Sequence, residues 1–214
     1  HDALPICFRG TPRLVRSFQY QDNESPKAYE ILDKRGIFFD KNRSIDITTS
    51  VTGTFTTEGW AVYKYTNLQS NGEPGKNTTF PDTDFPMFRL GDVYLMYAEA
   101  VARGGEGGDL ATAVNYINAL RERAYGDTYH NITESWLLEN NLQNILDERC
   151  RELYWEGVRR TDLIRFGLYT SPNYLWTFKG GVLNGVGVDS RYNVFPIPTT
   201  DMSVNGNLKQ NEGY

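Results

Sequence analysis

The sequence predicts a mainly α-helical fold of successive helical hairpins, with extended loops and a few short strands. Three observations carry that prediction. Residues 88–102 hold an unbroken apolar stripe of Leu90, Val93, Tyr94, Tyr97, Ala98 and Val101 at helical spacing. A second stripe follows at once, made of Leu110, Ala113, Val114, Ile117, Leu120 and Ala124. The third is the segment 146–167, LDERCRELYWEGVRRTDLIRFG, where Glu148, Glu152 and Glu156 form one slowly drifting acidic row beside an apolar face of Leu146, Cys150, Leu153 and Tyr154.

The elements follow in order. Residues 1–36, broken by Pro5, Pro12 and Pro26, predict irregular chain with a short helix near 12–18. Between Gly36 and Asn67 the composition turns to Thr, Ile, Val, Phe and Tyr, which predicts short strands at 45–51, 54–57 and 60–66. Residues 68–86, rich in Gly, Pro, Asn and Asp, are a loop. The first strong helix, 88–102, stops at Gly104-Gly105, and Asp109 supplies an N-cap for the next, so the two form an antiparallel hairpin. After Gly126 and Asp127, Thr133 is placed to cap a long helix over 134–156. Gly157 ends it in a sharp corner, and a shorter helix over 159–166 completes a second hairpin. Residues 168–214 return to loop. Ala98, Ala100, Ala111 and Ala113 let helices approach closely, and paired hairpins of this length resemble tetratricopeptide units without their full repeat signature.

The corner carries the densest charge. It brings Glu152 and Glu156 within reach of Arg159 and Arg165, which predicts a charge cluster between packed helices. Such a cluster fixes geometry, because removing one partner of a buried pair costs roughly 3–5 kcal/mol.

Other features exclude function classes. The 214 residues suit one sizeable domain or part of a larger one, and a net charge of −5 with both signs interspersed offers no field for a phosphate backbone, so no nucleic-acid partner is expected. Cys7 and Cys150 lack the neighbours of a zinc site and are expected as free thiols. With only His1 and His130 available, the glutamate row also lacks the companions of a di-metal carboxylate centre, so neither metal nor cofactor is predicted. No apolar run approaches the roughly 20 residues needed to cross a bilayer. The chain opens on His1-Asp2, which suggests a processed product or an excised fragment. No Ser lies in a G-x-S-x-G elbow, and the glycines of 180–187 lack the strand, helix and Lys-Ser/Thr of a phosphate loop.

Aromatic side chains remain as candidate ligand contacts, since a pyranose ring presents an apolar C–H face to an indole or phenol and needs polar partners around its rim. Trp60, Tyr63 and Tyr65 lie beside Asn67 and Gln69. Tyr174 and Trp176 lie beside Asn173 and Asn184. Trp60 is the first candidate for a stacking residue.

Four ordered blocks, RLGDVYLMYAEA at 89–100, AVNYINALRERA at 113–124, ILDERCRELYWEGVRRTDLIRFG at 145–167 and FPIPTTDMSVNGNLKQNEGY at 195–214, resemble the SusD/RagB family. FRGTPRLVRSF, Asp33-Lys34-Arg35 and GWAVYKYTN extend the resemblance through most of the chain. Cys150 falls where charge is common in the family, and Gly206 and Glu212 where proline often stands. The resemblance implies the C-terminal SusD-like domain of a Bacteroidetes outer-membrane lipoprotein. Within it, 1–88 is a loop-rich segment with short strands on the ligand-binding face, 89–167 two helical hairpins, and 168–214 a loop-rich segment packing on the helices. It further implies a non-catalytic protein at the outer surface of the cell that captures oligosaccharides or related nutrients and delivers them to a SusC-like TonB-dependent transporter. Membrane attachment would run through a lipid anchor absent from this chain, since Cys7 follows no apolar signal segment. Glu148, Glu152, Glu156, Arg159, Asp162 and Arg165 match the family signature for the helical corner. Two other readings stand beside this one: a helical-repeat module that binds a protein, and a glycoside hydrolase using two of the 27 acidic residues, none singled out by context.

Overall fold

A computed structural model describes residues 8–18, 31–49, 54, 56–69, 71–77, 80–81 and 83–214. Its first helix, α1 (Pro12–Arg16), has proline at its start, where a missing N–H costs nothing, and Thr11 accepts from the Leu14 amide as N-cap. Strand β1 (Phe38–Phe39) pairs antiparallel with β2 (Ala61–Val62), Phe38 opposite Val62. Helix α2 (Leu90–Ala102) and α3 (Leu110–Tyr125) follow, then α4 (Glu134–Leu138), α5 (Gln143–Leu153), α6 (Arg159–Arg165) and α7 (Thr199–Val204). The chain divides into two compact units, His1–Arg159 and Arg160–Tyr214.

The first unit is built on the α2–α3 hairpin. Asp109 accepts from the Thr112 amide at 2.7 Å and caps α3, and Gly126 ends it at φ +84°, the left-handed conformation that favours glycine. Leu95 and Ala98 of α2 meet Ala113, Ile117 and Leu120 of α3, and Leu137 of α4 with Ile145 and Leu153 of α5 complete the core. Ala98 and Ala113 at the contact let α2 and α3 lie close, whereas Ala100 and Ala111, expected to do the same, are exposed. Leu90, Val93 and Met96 face outward along α2. A second apolar group gathers around Phe38, which packs on Phe18, Trp60 and Tyr154.

The predicted helices at 88–102 and 110–124 form, but the long helix over 134–156 does not. It breaks between α4 and α5, where Asn140, Asn141 and Leu142 all take positive φ. Asparagine tolerates that region because its short side chain bonds locally. Asn144 then donates to the Trp136 carbonyl at 2.7 Å, satisfying an acceptor left open by the end of α4.

Among the described residues, the strands predicted at 45–51, 54–57 and 60–66 reduce to β2 and single bridges such as Ser44 with Glu58. Thr57 and Glu58 both donate to the Thr54 carbonyl, which coils the segment into a turn, and Tyr65 at φ +66° stops the third strand. Ile45 and Ile47 bury their side chains without a partner strand among the described residues, so there their composition reflects burial rather than ladder formation. Residues 50–53 and 55 lie outside the described residues.

In the second unit, 168–214 is not all loop. Pro198 precedes α7, and tight turns occupy Lys179–Gly181 and Ser190–Asn193. Lys179 is buried, with Nζ donating to the Ser171 and Tyr174 carbonyls at 2.7 Å each. A lysine thus organises the turn around the backbone oxygens of 171–174.

Candidate functional site

Helix α5 and the corner after it project the three glutamates into a set of cations drawn from distant parts of the chain. Glu148 is fully buried and lies 2.7 Å from Arg121 and 2.6 Å from Arg151. Arg35 sits 2.8 Å from Glu148 Oε1 without the alignment of a hydrogen bond, so that pair is held by charge alone. Glu152 takes Arg35 at 3.0 Å, Arg89 at 2.5 Å and Arg123 at 2.6 Å. Glu156 takes Arg89 at 2.7 Å and Lys64. Arg35 also grips Asp33 at 2.6 Å, and Arg149 joins α5 to Asp92 of α2 at 2.9 Å.

These partners correct one expectation. Glu152 and Glu156 are bound by Arg35, Lys64, Arg89 and Arg123, not by Arg159 and Arg165. Arg159 instead donates to the Leu146 carbonyl at 2.9 Å, and Arg165 bonds Asp162 within α6 at 2.8 Å. The corner is therefore tied to the loops before α2 as well as to its own helices. Lys64 Nζ donates to the Glu152 and Tyr154 carbonyls, and Arg89 to the Glu152 carbonyl, which satisfies acceptors at the end of α5.

The electrostatics fit a structural role. Burial would raise the Glu148 carboxyl, but Arg151, Arg35 and Arg121 outweigh it and hold the group far below the usual carboxylate range. Burial likewise opposes ionisation of Glu152, and Arg123, Arg89 and Arg35 still bring it down to about 2. A general acid must carry a proton near neutral pH, and carboxylates clamped in this way stay ionised. Cys150 is a free, buried thiol, while Cys7 lies outside the described residues. Among the described residues, no three His, Cys, Asp or Glu side chains are grouped to hold a metal ion.

The predicted aromatic contacts divide by burial. Trp60 is 6% exposed and packs with Val15 and Ile45, and its indole N–H has no hydrogen-bond partner. That burial leaves Trp60 no face for a sugar ring. Tyr63 is half-buried with its ring 5.9 Å from that of Phe39. Tyr65 follows at positive φ, and its hydroxyl is enclosed without a hydrogen-bond partner. Asn67 donates to the Asn77 carbonyl at 2.6 Å, closing the loop that carries these residues. In the second unit, Tyr174 is buried, whereas Trp176 is half-buried, with the Lys179 ammonium 4.7 Å from its ring. Sequence reasoning passed over Lys64 and Arg89, which sit in segments read as strand and helix start.

The packed hairpins, closed by a buried charge cluster at a glycine corner, define a tetratricopeptide-like helical scaffold. Residues 43–214 match the SusD family, described as SusD_RagB, and the chain belongs to that family. It is 46% identical over 159 residues, 74% of this chain, to the starch-binding protein SusD of Bacteroides thetaiotaomicron. It is 33% identical over 132 residues, 60% of this chain, to the SusD-like protein P25 of Formosa agariphila. These matches cover 26% and 24% of the two relatives, so the chain spans about a quarter of their length. Among solved structures, a SusD superfamily protein from Bacteroides fragilis matches with a TM-score of 0.52 at 23% identity, covering 87% of this chain and 38% of that one. Surface glycan-binding protein A from Bacteroides thetaiotaomicron matches with a TM-score of 0.52 at 24% identity, over 73% of this chain and 31% of that one. At those identities the two structures speak for the fold.

Proposed function

We propose that the protein is a non-catalytic binding protein of the outer cell surface that captures oligosaccharides and delivers them to a SusC-like TonB-dependent outer-membrane transporter. The observation that carries this reading is the identity with a starch-binding protein across three quarters of the chain. On this reading 1–88 contributes to the ligand face, 89–167 is scaffold, and the whole forms the C-terminal SusD-like part. In the first unit Tyr63, Tyr65 and Asn67, and in the second Trp176, are the candidate contacts that burial leaves available, whereas Trp60 and Tyr174 are buried. Tyr65 leads: its ring is only half-buried and sits at a strained backbone position, which suits the C–H face of a sugar ring. Among the described residues no helix is long and apolar enough to cross a membrane.

Isothermal calorimetry of the protein with maltoheptaose, and with β-linked glucans as controls, tests the binding claim. Saturable heat with an α-glucan and no released reducing sugar is expected. Absence of binding across the panel, or turnover of the ligand, overturns it. Co-purification with a TonB-dependent transporter from outer membranes tests the delivery step.

A further inference from the structure

We infer that Trp155, with Phe8 beside it, is an aromatic sugar-stacking platform, a site outside the loop residues discussed above. The inference rests on the oligosaccharide-binding reading. Trp155 stands at the apex of the corner, between α5 and Gly157, and adopts φ +65°. Left-handed backbone at a bulky residue is costly, and glycine or asparagine would relieve it. The chain nevertheless places its largest side chain there and leaves it 41% exposed. Phe8 is 56% exposed, and its ring centroid lies 4.9 Å from that of Trp155 at an interplanar angle of 72°. The pair therefore offers adjoining aromatic surfaces at an angle, which suits the curved apolar face of consecutive pyranose rings better than a single flat ring does.

The platform is rigid because both neighbours of Trp155 are locked. On one side, Tyr154 is buried, its hydroxyl donates to the Arg35 carbonyl at 2.7 Å, and its own carbonyl accepts from Lys64 at 2.8 Å. On the other, Glu156 is ion-paired to Arg89 and Lys64. Phe8 is tied to β2, its carbonyl accepting from the Val62 amide at 3.2 Å. An exposed indole fixed by such neighbours loses little freedom on binding, which is the condition for stacking to yield affinity. The charge cluster then has a second consequence: it holds an aromatic apex in place.

The test uses the whole chain with maltoheptaose, read by calorimetry and by the Trp155 indole N–H resonance, assigned through its loss in Trp155→Phe. The wild-type resonance should shift on saturation, and Trp155→Ala and Trp155→Asn should each weaken binding at least tenfold. Asparagine keeps the left-handed backbone, so Trp155→Asn should melt within a few degrees of wild type. Binding of the wild type with no shift of that resonance, or with undiminished affinity in a folded Trp155→Asn, overturns the platform and leaves the oligosaccharide reading intact. No binding by the wild type to any glucan of the panel overturns both.

Discussion

Arg35 and Glu152, 117 residues apart in the chain, are joined by a 3.0 Å charge-assisted hydrogen bond, and the same guanidinium holds Asp33 and Glu148. One side chain from the segment before β1 thus closes three acidic contacts on α5 and its surroundings. Removing it would leave Glu148 and Asp33, both with fully buried side chains, short of a cation. The expected cost of Arg35→Ala is about 3–5 kcal/mol, the range for breaking a buried pair by deleting one member. Urea denaturation of the folded variant measures it. A midpoint equal to wild type would mean that the remaining arginines compensate and that Arg35 is not a keystone.

Acid should expose the same network. Glu152 has its folded-state carboxyl brought down to about 2, after burial has been outweighed by Arg123, Arg89 and Arg35. Its unfolded-state value is the ordinary one, near 4.5. A depressed carboxyl contributes stability in full above the unfolded value and loses it as pH falls toward the folded one. Stability should therefore decline between about pH 5 and pH 2, and Glu152→Gln should flatten that decline while lowering stability at pH 7. The urea midpoint followed across this range checks both. A variant with the same acid limb as wild type would assign the acid sensitivity to other carboxylates.

Tyr154 predicts an alkaline limb of opposite sense. Burial raises its phenol to about 12, against the opposing hydrogen bond from the Ile37 amide. The neutral form is favoured in the fold, so this contribution is complete below the unfolded value near 10 and is lost as pH rises toward 12. Tyr154→Phe removes the donor to the Arg35 carbonyl and should cost about 1–3 kcal/mol at neutral pH. It should also remove part of the loss above pH 10, which thermal melts at pH 8 and pH 11 would show. Parallel losses in wild type and variant would contradict it.

Particular residues show why some of this was legible in the sequence. The α2–α3 hairpin could be read because periodicity, cap and stop agree: Ile117 falls on the predicted face, Asp109 caps and Gly126 ends, although the stripe read on α2 includes the exposed Leu90 and Val93 and omits the buried Leu95. The break before α5 was hidden because Leu137, Ile145 and Leu146 keep an apolar pattern running across it. The Asn140-Asn141 pair was its signal. The glutamate row was visible, yet its partners were not, since many cations could pair with it and only the tertiary fold brings Arg35, Lys64 and Arg89 there. Trp60 shows the same limit. Its polar sequence neighbours suggested surface, but burial is set by Val15 and Ile45, which the local sequence does not reveal.

Gly91 offers a prediction whose sign separates local propensity from tertiary packing. Glycine inside a helix is less favourable than alanine by about 1 kcal/mol, so Gly91→Ala in α2 should stabilise on propensity alone. A methyl at this buried position would instead lie 2.6 Å from Arg89 Nη1 and 2.7 Å from Glu152 Oε1, inside the contact distance of both. Those atoms form the Arg89–Glu152 pair, so neither can retreat without weakening the cluster. The wild-type glycine is the space through which the pair passes over α2. Gly91→Ala should therefore destabilise by about 1–3 kcal/mol, the range for overpacking. In a Glu152→Ala background that obstruction is reduced, and the same substitution should become neutral or stabilising. A double-mutant cycle by urea denaturation reads the reversal directly. An equal effect of Gly91→Ala in both backgrounds would show that the glycine answers to something other than the ion pair above it.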